Sequence, residues 1–156
     1  MPSDQTVAFQ KFADYLSAIE KLEKRLPKIY LKMEKAAFTP ELAKCLDPES
    51  TESEQHLKRI GLLKTAIQQK GNVTLAAEDL TIKLTKASIE QDLTIIATAL
   101  KMQHQKLAYY ELLHPLAAVL FLTTAAELIE QTISDNRNTC TWLRQIIQNI
   151  IVPKLA

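Results

Sequence analysis

The chain has 156 residues, of which 24% are charged and 47% hydrophobic, and its formal net charge is +1. These values are ordinary for a globular protein, so we expect residues 1–156 to form a single domain around one core. Basic residues alternate with acidic ones, as in residues 20–25. This mixture indicates a solvated helix face and argues against a nucleic-acid partner.

The cysteines and the apolar segments predict a cytoplasmic protein. Cys45 and Cys140 lie far apart without metal-binding spacing, and no secretory leader opens the sequence. The longest apolar stretch, residues 116–129, contains Glu127 and is too short to cross a bilayer. We therefore expect reduced thiols and no membrane partner.

The first helix is predicted from Ser3 or Asp4 to about Ala37. Helix is favoured almost everywhere, because the chain has only two glycines and few strand-like segments. The apolar positions of this first helix step by three, four or seven residues, as on one face of a bundle helix. They are Phe12, Ile19, Leu22, Leu26, Ile29 and Met33.

A second helix is predicted to start at Thr39 and Pro40, where the hydroxyl serves as N-cap and the proline occupies the first helical position. Gly71 is a typical left-handed C-terminal residue for this helix. Pro48 removes one backbone donor, so we expect a kink or a restart near Asp47. The apolar stripe that follows consists of His56, Ile60, Leu63 and Ile67.

The chain must then cross over, and residues 75–84 are predicted to form a short helix on the outside of the bundle. Ser88 and Gln91 have the spacing of a capping box and open the third long helix. This helix is expected to stop at His114, because the residue before a proline disfavours helical geometry. Its stripe is Leu93, Ile96, Leu100, Gln103, Leu107 and Tyr110.

Thr124 and Glu127 form a second candidate capping box, which opens a last helix that continues to Pro153. The helix carries Leu128, Thr132, Asp135, Thr139, Trp142, Ile146 and Ile150. Short, long and short connections between four long helices give antiparallel pairs joined by one crossover. The predicted fold is therefore all-α: a ferritin-like antiparallel four-helix bundle with one long crossover carrying a short extra helix.

Gln103 is an uncharged amide in the middle of the most regular apolar stripe. A polar group in such a position has to be hydrogen-bonded. Similar polar interruptions fall near the middle of the other long helices. Together they predict an internal polar layer, and the function depends on what occupies it.

Several segments carry a family resemblance that covers most of the chain. In the first two helices they are AIEK (18–21), RLPK (25–28), KAA (35–37), TPEL (39–42) and ESEQHLKR (52–59). Further on they are MQHQKLAYY (102–110) and EQT (130–132) with Asp135 and Thr139. The Leu-Pro-Lys turn and the Pro-Glu-Leu helix start are the most specific. With these segments the chain resembles the YciE/YciF-type stress proteins, a branch of the ferritin-like superfamily.

This resemblance implies a rubrerythrin-like bundle that usually forms dimers and, in many members, holds two metal ions with iron or manganese oxidation chemistry. Glu20 matches a first-helix carboxylate, and Glu52 with His56 matches the second-helix pair. The third helix departs from the family pattern, because Gln103 and Lys106 flank His104 where glutamates are common. The fourth helix has Asp135 in place of a glutamate and Cys140 where an acid is common.

Charge counting argues against a two-metal centre. Two divalent ions in a bundle core need about four carboxylates and two imidazoles. The candidate anions are Glu20, Glu52 and Asp135, and an inward Lys106 would subtract one negative charge. We therefore expect no metal or other cofactor and no catalytic residue, and predict that an ammonium and the Gln103 amide complete a structural, ion-paired layer.

Simpler alternatives exist for each of these residues. Glu20 and Glu52 are then surface acids, His56 is a hydrogen-bonded core histidine, and His104 is interfacial. Lys106 extends its aliphatic stem along the helix and places its ammonium in water. Nucleophilic chemistry at Cys140 has no supporting motif.

The main functional hypothesis is a non-catalytic homodimer with a degenerate metal site. The rival is an iron or manganese enzyme that oxidises iron or decomposes peroxide, using Glu20, Glu52, His56 and Asp135 with support from His104. A third hypothesis is a helical adaptor that binds partner helices through an exposed apolar groove.

Overall fold

Four long helices form the framework of the molecule, which we describe from a computed structural model covering residues 3–72 and 82–156. The long helices are α1 (Asp4–Ala36), α4 (Ser53–Ile67), α5 (Ile89–Val119) and α6 (Thr123–Ile146). The shorter elements are α2 (Pro40–Leu46), α3 (Pro48–Thr51), a π-helical turn (Ile147–Ile151) and α7 (Val152–Leu155). No strand occurs in these residues, which confirms the all-α prediction.

Side-chain pairings show that α1 runs antiparallel to both α4 and α5. On α4, His56 approaches Glu23 and Lys64 approaches Glu20, so the numbering rises on one helix as it falls on the other. On α5, Gln103 pairs with Tyr30, while a residue further along the helix pairs with Glu23. Helices α4 and α5 are therefore parallel to each other.

Helix α6 completes the bundle and runs antiparallel to its neighbours. His56 of α4 contacts Asp135, and Arg59 reaches back to Thr132. Two parallel helices that follow one another in the chain need a connection that returns along the length of the bundle. Because α4 and α5 are consecutive long helices and parallel, the helix directions confirm the predicted ferritin-like connectivity with one crossover. The predicted short helix at 75–84 lies mostly outside the described residues, and residues 82–84 are not helical.

Two prolines lie inside long helices, and only the second contradicts a predicted helix end. Helix α1 continues through Pro27 to Ala36, which confirms its predicted span, and the Leu-Pro-Lys segment therefore forms no turn. In contrast, the predicted end of the third helix at His114 is wrong, because α5 passes through Pro115. Each proline removes one backbone hydrogen bond. Apolar residues buried on either side of each proline hold the helix in place by packing: Leu26 and Tyr30 in α1, Leu113 and Ala117 in α5.

The second predicted helix is divided into α2, α3 and α4. The interruption at Pro48 confirms the expected restart, and Glu52 enters α4 from the left-handed region with φ 54°. Helix α4 ends at Ile67 with Gln68 in the left-handed conformation, so the predicted end at Gly71 is wrong. Gly71 has a different role, because a Cβ there would collide with the carbonyl of Ala13. This close approach to α1 leaves no room for a side chain at residue 71.

Asp92 lies at the junction of α5 with the start of α2 and is buried. Its carboxylate accepts hydrogen bonds from the backbone N–H groups of Phe38 and Thr39, at 2.8 and 2.9 Å, and from the Thr39 hydroxyl. The predicted N-cap role of the Thr39 side chain is therefore wrong, since its hydroxyl donates to Asp92. A carboxylate from another helix stabilises the N-terminus of α2.

The starts of the last two long helices differ in how they are capped. The Ser88 hydroxyl accepts a hydrogen bond from the Gln91 backbone N–H, as predicted. The Gln91 side chain does not complete the capping box, because it hydrogen-bonds to Thr85 and to the Ala36 carbonyl. Helix α6 begins at Thr123 without a side-chain cap. The predicted box at Thr124 is wrong, because the helix starts one residue earlier.

The core consists of two apolar clusters separated along the bundle axis by a polar layer. One cluster includes Phe12, Leu16, Ile19, Ile60, Leu63, Leu113 and Ile129. The other includes Leu22, Leu26, Met33, Leu42, Ile95, Ile96, Met102 and Leu143. Across the described ranges, no helix has the length and apolar character needed to span a membrane.

A buried ion-paired layer as the candidate functional site

Lys106 points into the centre of the bundle from the middle of α5. Its Nζ lies 2.6 Å from Oε1 of Glu23 on α1, and both side chains are only 3% exposed. The alternative in which the ammonium reaches water is therefore wrong. A buried ion pair in direct contact forms the centre of the polar layer.

The second carboxylate oxygen of Glu23 has two further neighbours. The hydroxyl of Tyr110 donates to Oε2 over 3.1 Å, and Nδ1 of His56 lies 3.3 Å from the same atom. The same Nδ1 is 3.4 Å from the ammonium of Lys106. The Glu23 carboxylate thus contacts an ammonium, a phenol and an imidazole, which come from two neighbouring helices.

These neighbours fix the protonation states of Glu23 and Tyr110. Burial raises the pKa of Glu23, but the charge of Lys106 and the contacts with His56 outweigh it and lower the pKa from 4.5 to about 2. Burial and the adjacent Glu23 carboxylate raise the pKa of Tyr110. At neutral pH the layer therefore contains a charged carboxylate and a neutral phenol that donates to it.

His56 links the buried pair to a half-buried group at the edge of the bundle. Its Nε2 lies 3.2 Å from Oδ2 of Asp135 on α6. Arg59 places Nη1 2.6 Å from the same Asp135 oxygen and donates to the Thr132 hydroxyl over 3.2 Å. If the His56 ring is neutral and donates from Nε2 to Asp135, the lone pair of Nδ1 is directed toward the Lys106 ammonium. If the ring is an imidazolium, it donates to the carboxylates of both Asp135 and Glu23.

Glu52 is exposed and sits at the outer edge of this cluster. Partial burial, the charge of Asp135 and a hydrogen bond to it raise the pKa of Glu52. The ligand atoms of Glu52, His56 and Asp135 all lie within 4.8 Å of one another. These three residues form an outer triad with the chemistry of a possible single-ion site.

Gln103 lies beside the layer and is fully buried. Its amide nitrogen donates to the Tyr30 hydroxyl over 2.6 Å, and burial raises the pKa of Tyr30. Among the described residues, no protein group pairs with Oε1 of Gln103 or with either amide atom of the buried Asn136. The prediction that Gln103 bonds directly to the ion pair is wrong, because its partner is a tyrosine further along α1.

Comparison with known proteins places the chain in a family. The family described as Domain of unknown function (DUF892) matches residues 7–156. The chain belongs to this family. The crystal structure of the E. coli stress protein YciF aligns with a TM-score of 0.70 at 22% identity, covering 99% of each chain. The predicted YciE/YciF-type resemblance is thereby confirmed, while a search of curated proteins found no match.

In this DUF892 member, two of the predicted layer residues lie elsewhere. Glu20 is on the surface, 3.0 Å from Lys64 and 3.8 Å from Lys24. His104 is exposed on the α5–α6 side of the bundle. The carboxylate that α1 contributes is Glu23, which the sequence interpretation missed.

A signal for Glu23 was present in the sequence. The buried residues Ile19, Glu23, Leu26 and Tyr30 step by four, three and four, so Glu23 lies on the apolar stripe itself. Glu20 lies one residue after Ile19 and is turned about 100° away from that position around the helix. The periodicity favours Glu23, whereas the family resemblance points to Glu20.

The charges of the layer do not fit two divalent ions. The anions Glu23 and Asp135 are already matched by two cations, Lys106 and Arg59, each in direct contact with a carboxylate. Two divalent ions would add four positive charges, and the exposed Glu52 is the one further acid in the described cluster. The ammonium also occupies the hydrogen-bonding direction of Glu23 that a metal would need. Fixed cationic side chains thus balance the buried carboxylates.

Proposed function

We propose that this protein is a non-catalytic, stress-associated member of the ferritin-like bundles, in which Lys106 replaces the positive charge of a metal centre. The 2.6 Å contact between Lys106 and Glu23 in the middle of the core carries this proposal. A fixed ammonium brings the charge with it, so the bundle folds without an ion. The layer then acts as a structural element, and function is exercised through the surface of the bundle.

The energetics of the layer are consistent with this structural role. Burying two charges costs several kcal/mol per ion before their attraction is counted. The ion pair offsets that cost only when the remaining hydrogen-bonding positions are filled, as Tyr110 and His56 do for Glu23. The layer therefore specifies the register of three helices more than it adds net stability.

The surface-based part of the proposal is a homodimer. Phe121 is 85% exposed and Val119 is 60% exposed, and Leu112 adds a third exposed apolar side chain on the same end of α5. Apolar patches of this kind typically mark protein contacts. The association with stress rests on the similar E. coli protein, which is described as a stress protein. Both cysteines are free thiols, which favours a cytoplasmic location.

The test is the metal content of protein purified without chelator, measured by elemental analysis. We expect less than about one-tenth of an iron or manganese ion per chain and an unchanged melting temperature in excess chelator. Near-stoichiometric metal, or a melting temperature that falls on chelation, would contradict the proposal. Sedimentation over a range of concentrations tests the dimer separately.

A second candidate function is favoured by the outer triad of Glu52, His56 and Asp135. One iron or manganese ion there would support oxidation of iron or decomposition of peroxide. Arg59 opposes this, because its guanidinium lies 2.6 Å from the carboxylate that would have to bind the ion. Iron that is lost in Asp135→Asn but kept in Glu20→Gln would favour this candidate, since Glu20 lies outside the triad.

A further inference from the structure

A groove on the outside of the bundle runs between α5 and α6, away from the ion-paired layer. An ion pair of 3.0 Å between Glu111 on α5 and Arg137 on α6 fixes the register of the two helices. Because the helices are antiparallel, one turn back on α5 corresponds to one turn forward on α6. Ala108 therefore faces Thr141, and His104 faces Arg144, at successive turns along the groove.

The shape of the groove follows from the side chains in its middle turn. Ala108 is small, and Leu107 and Cys140 are buried against the core, so they form a floor without filling the space above it. The resulting volume is about 430 Å³. This lies at the lower end of the range of ~300–1,000 Å³ typical of small-molecule sites. Its length, seven residues of helix, is roughly 10 Å.

Charge is distributed unequally along the groove. At one end Arg137 is neutralised by Glu111. At the other end, Arg144 makes no salt bridge within the described ranges, and His104 is exposed beside it. The groove thus has a cationic end, an apolar floor and a hydroxyl from Thr141 between them.

We propose that this groove binds a small amphipathic carboxylate. The head group accepts hydrogen bonds from the guanidinium of Arg144 and from His104, and the Thr141 hydroxyl donates to it. A short apolar chain lies on Leu107 and Ala108. Glu111 and Arg137 close the far end, which limits the length of the chain to about the length of the groove.

Octanoate is a suitable probe, because its extended chain is comparable in length to the groove. We expect titration into the full chain, followed by heteronuclear NMR, to shift the amides of His104, Ala108, Thr141 and Arg144 with a Kd of about 1 mM or tighter. Octanol, which lacks the charge, should bind at least about tenfold more weakly. Inorganic phosphate, which lacks the apolar chain, should also bind at least tenfold more weakly.

Two variants test the groove from opposite ends. Arg144→Gln removes the cation at this end of the groove and should weaken octanoate binding by about tenfold. Ala108→Leu fills the middle of the groove and should abolish binding. Both residues are exposed, so the fold should be kept, which circular dichroism verifies. Arg25→Gln is the matched control, because this exposed arginine lies on α1 and does not line the groove.

Several results would overturn the proposal. The proposal is wrong if the chemical shifts of the groove amides stay unchanged in millimolar octanoate. It is also wrong if octanol binds as tightly as octanoate, because the cationic end would then have no role. Binding that persists in Ala108→Leu would place the ligand elsewhere. Shifts of the same amides that follow protein concentration but not octanoate would show that a second copy of the chain covers the groove.

Discussion

Glu23 and Asp92 are both buried carboxylates, yet the groups that surround them differ in kind. Glu23 faces an ammonium, a phenol and an imidazole, all from side chains of other helices. Asp92 faces two backbone N–H groups and a hydroxyl at the N-terminus of α2. One carboxylate is neutralised by a full countercharge, and the other by hydrogen bonds and the helix dipole.

This difference predicts how each site responds to mutation. The Asp92 carboxylate accepts hydrogen bonds from three donors. Two of these donors are backbone N–H groups, which a side-chain substitution does not remove. Glu23 depends on Lys106 for its one full positive charge in direct contact. A single substitution should therefore disrupt the central layer far more than the junction at Asp92.

Replacing Lys106 by methionine should produce the largest effect. The substitution keeps the length of the apolar stem but leaves the Glu23 carboxylate buried without its countercharge. We expect the free energy of unfolding to fall by about 3–5 kcal/mol, measured by urea denaturation. Lys101→Met on the exposed face of α5 is the control and should change it by less than about 0.5 kcal/mol. A loss below 1 kcal/mol at Lys106 would mean that the ion pair is not required.

Acid should destabilise the protein through the same pair. The pKa of Glu23 is lowered from 4.5 to about 2 in the folded state, so its contribution is complete above about pH 5. That contribution, about 3 kcal/mol, is lost as the pH falls from 5 toward 2, because the unfolded chain binds the proton first. Unfolding measured across this range should show a steeper decline in the wild type than in Glu23→Gln. Parallel curves for the two proteins would contradict the assigned pKa.

Asp92→Asn should have a smaller effect. The amide keeps one acceptor oxygen but turns a donor toward the N-terminus of α2, which costs about 2 kcal/mol. Thermal or urea unfolding measures the change, and Glu90→Gln, an exposed acid on the same turn, serves as control. If Asp92→Asn proved as damaging as Lys106→Met, the contrast between the two sites would not hold.

Glu20→Gln should have the smallest effect, under about 1 kcal/mol. Glu20 pairs with Lys64 and Lys24 on the surface, where solvent screens the interaction. The same substitution at Glu23 should cost several times more in the same urea titration. Equal losses of unfolding free energy in Glu20→Gln and Glu23→Gln would show that position on the apolar stripe does not determine which glutamate contributes more to stability.

The sequence predicts the fold well because its signals are periodic and local. The stripes of α1 and α5, the restart at Pro48 and the long crossover follow from helical spacing and connection length. The errors arise where packing overrides local preference. Pro115 looks like a helix end in isolation, but buried neighbours on both sides keep α5 continuous.

The candidate site is predictable only in part. His56 and Gln103 fall on apolar stripes, so their burial follows from spacing, and the inward direction of Lys106 was one of two alternatives. The family resemblance points to Glu20, whereas the apolar stripe points to Glu23, and Glu23 is the glutamate that is buried. Which polar side chains actually meet depends on the rotation of each helix about its axis. Sequence periodicity locates a face but not the partner opposite it.

A double-mutant cycle between Glu23 and Lys106 tests most directly whether the fixed ammonium balances the buried carboxylate. The free energies of unfolding of the wild type, Glu23→Gln, Lys106→Met and the double variant are measured in metal-free buffer. We predict a coupling energy of at least about 2 kcal/mol, with the double variant more stable than Lys106→Met alone. Additive losses, with coupling near zero, would contradict the account.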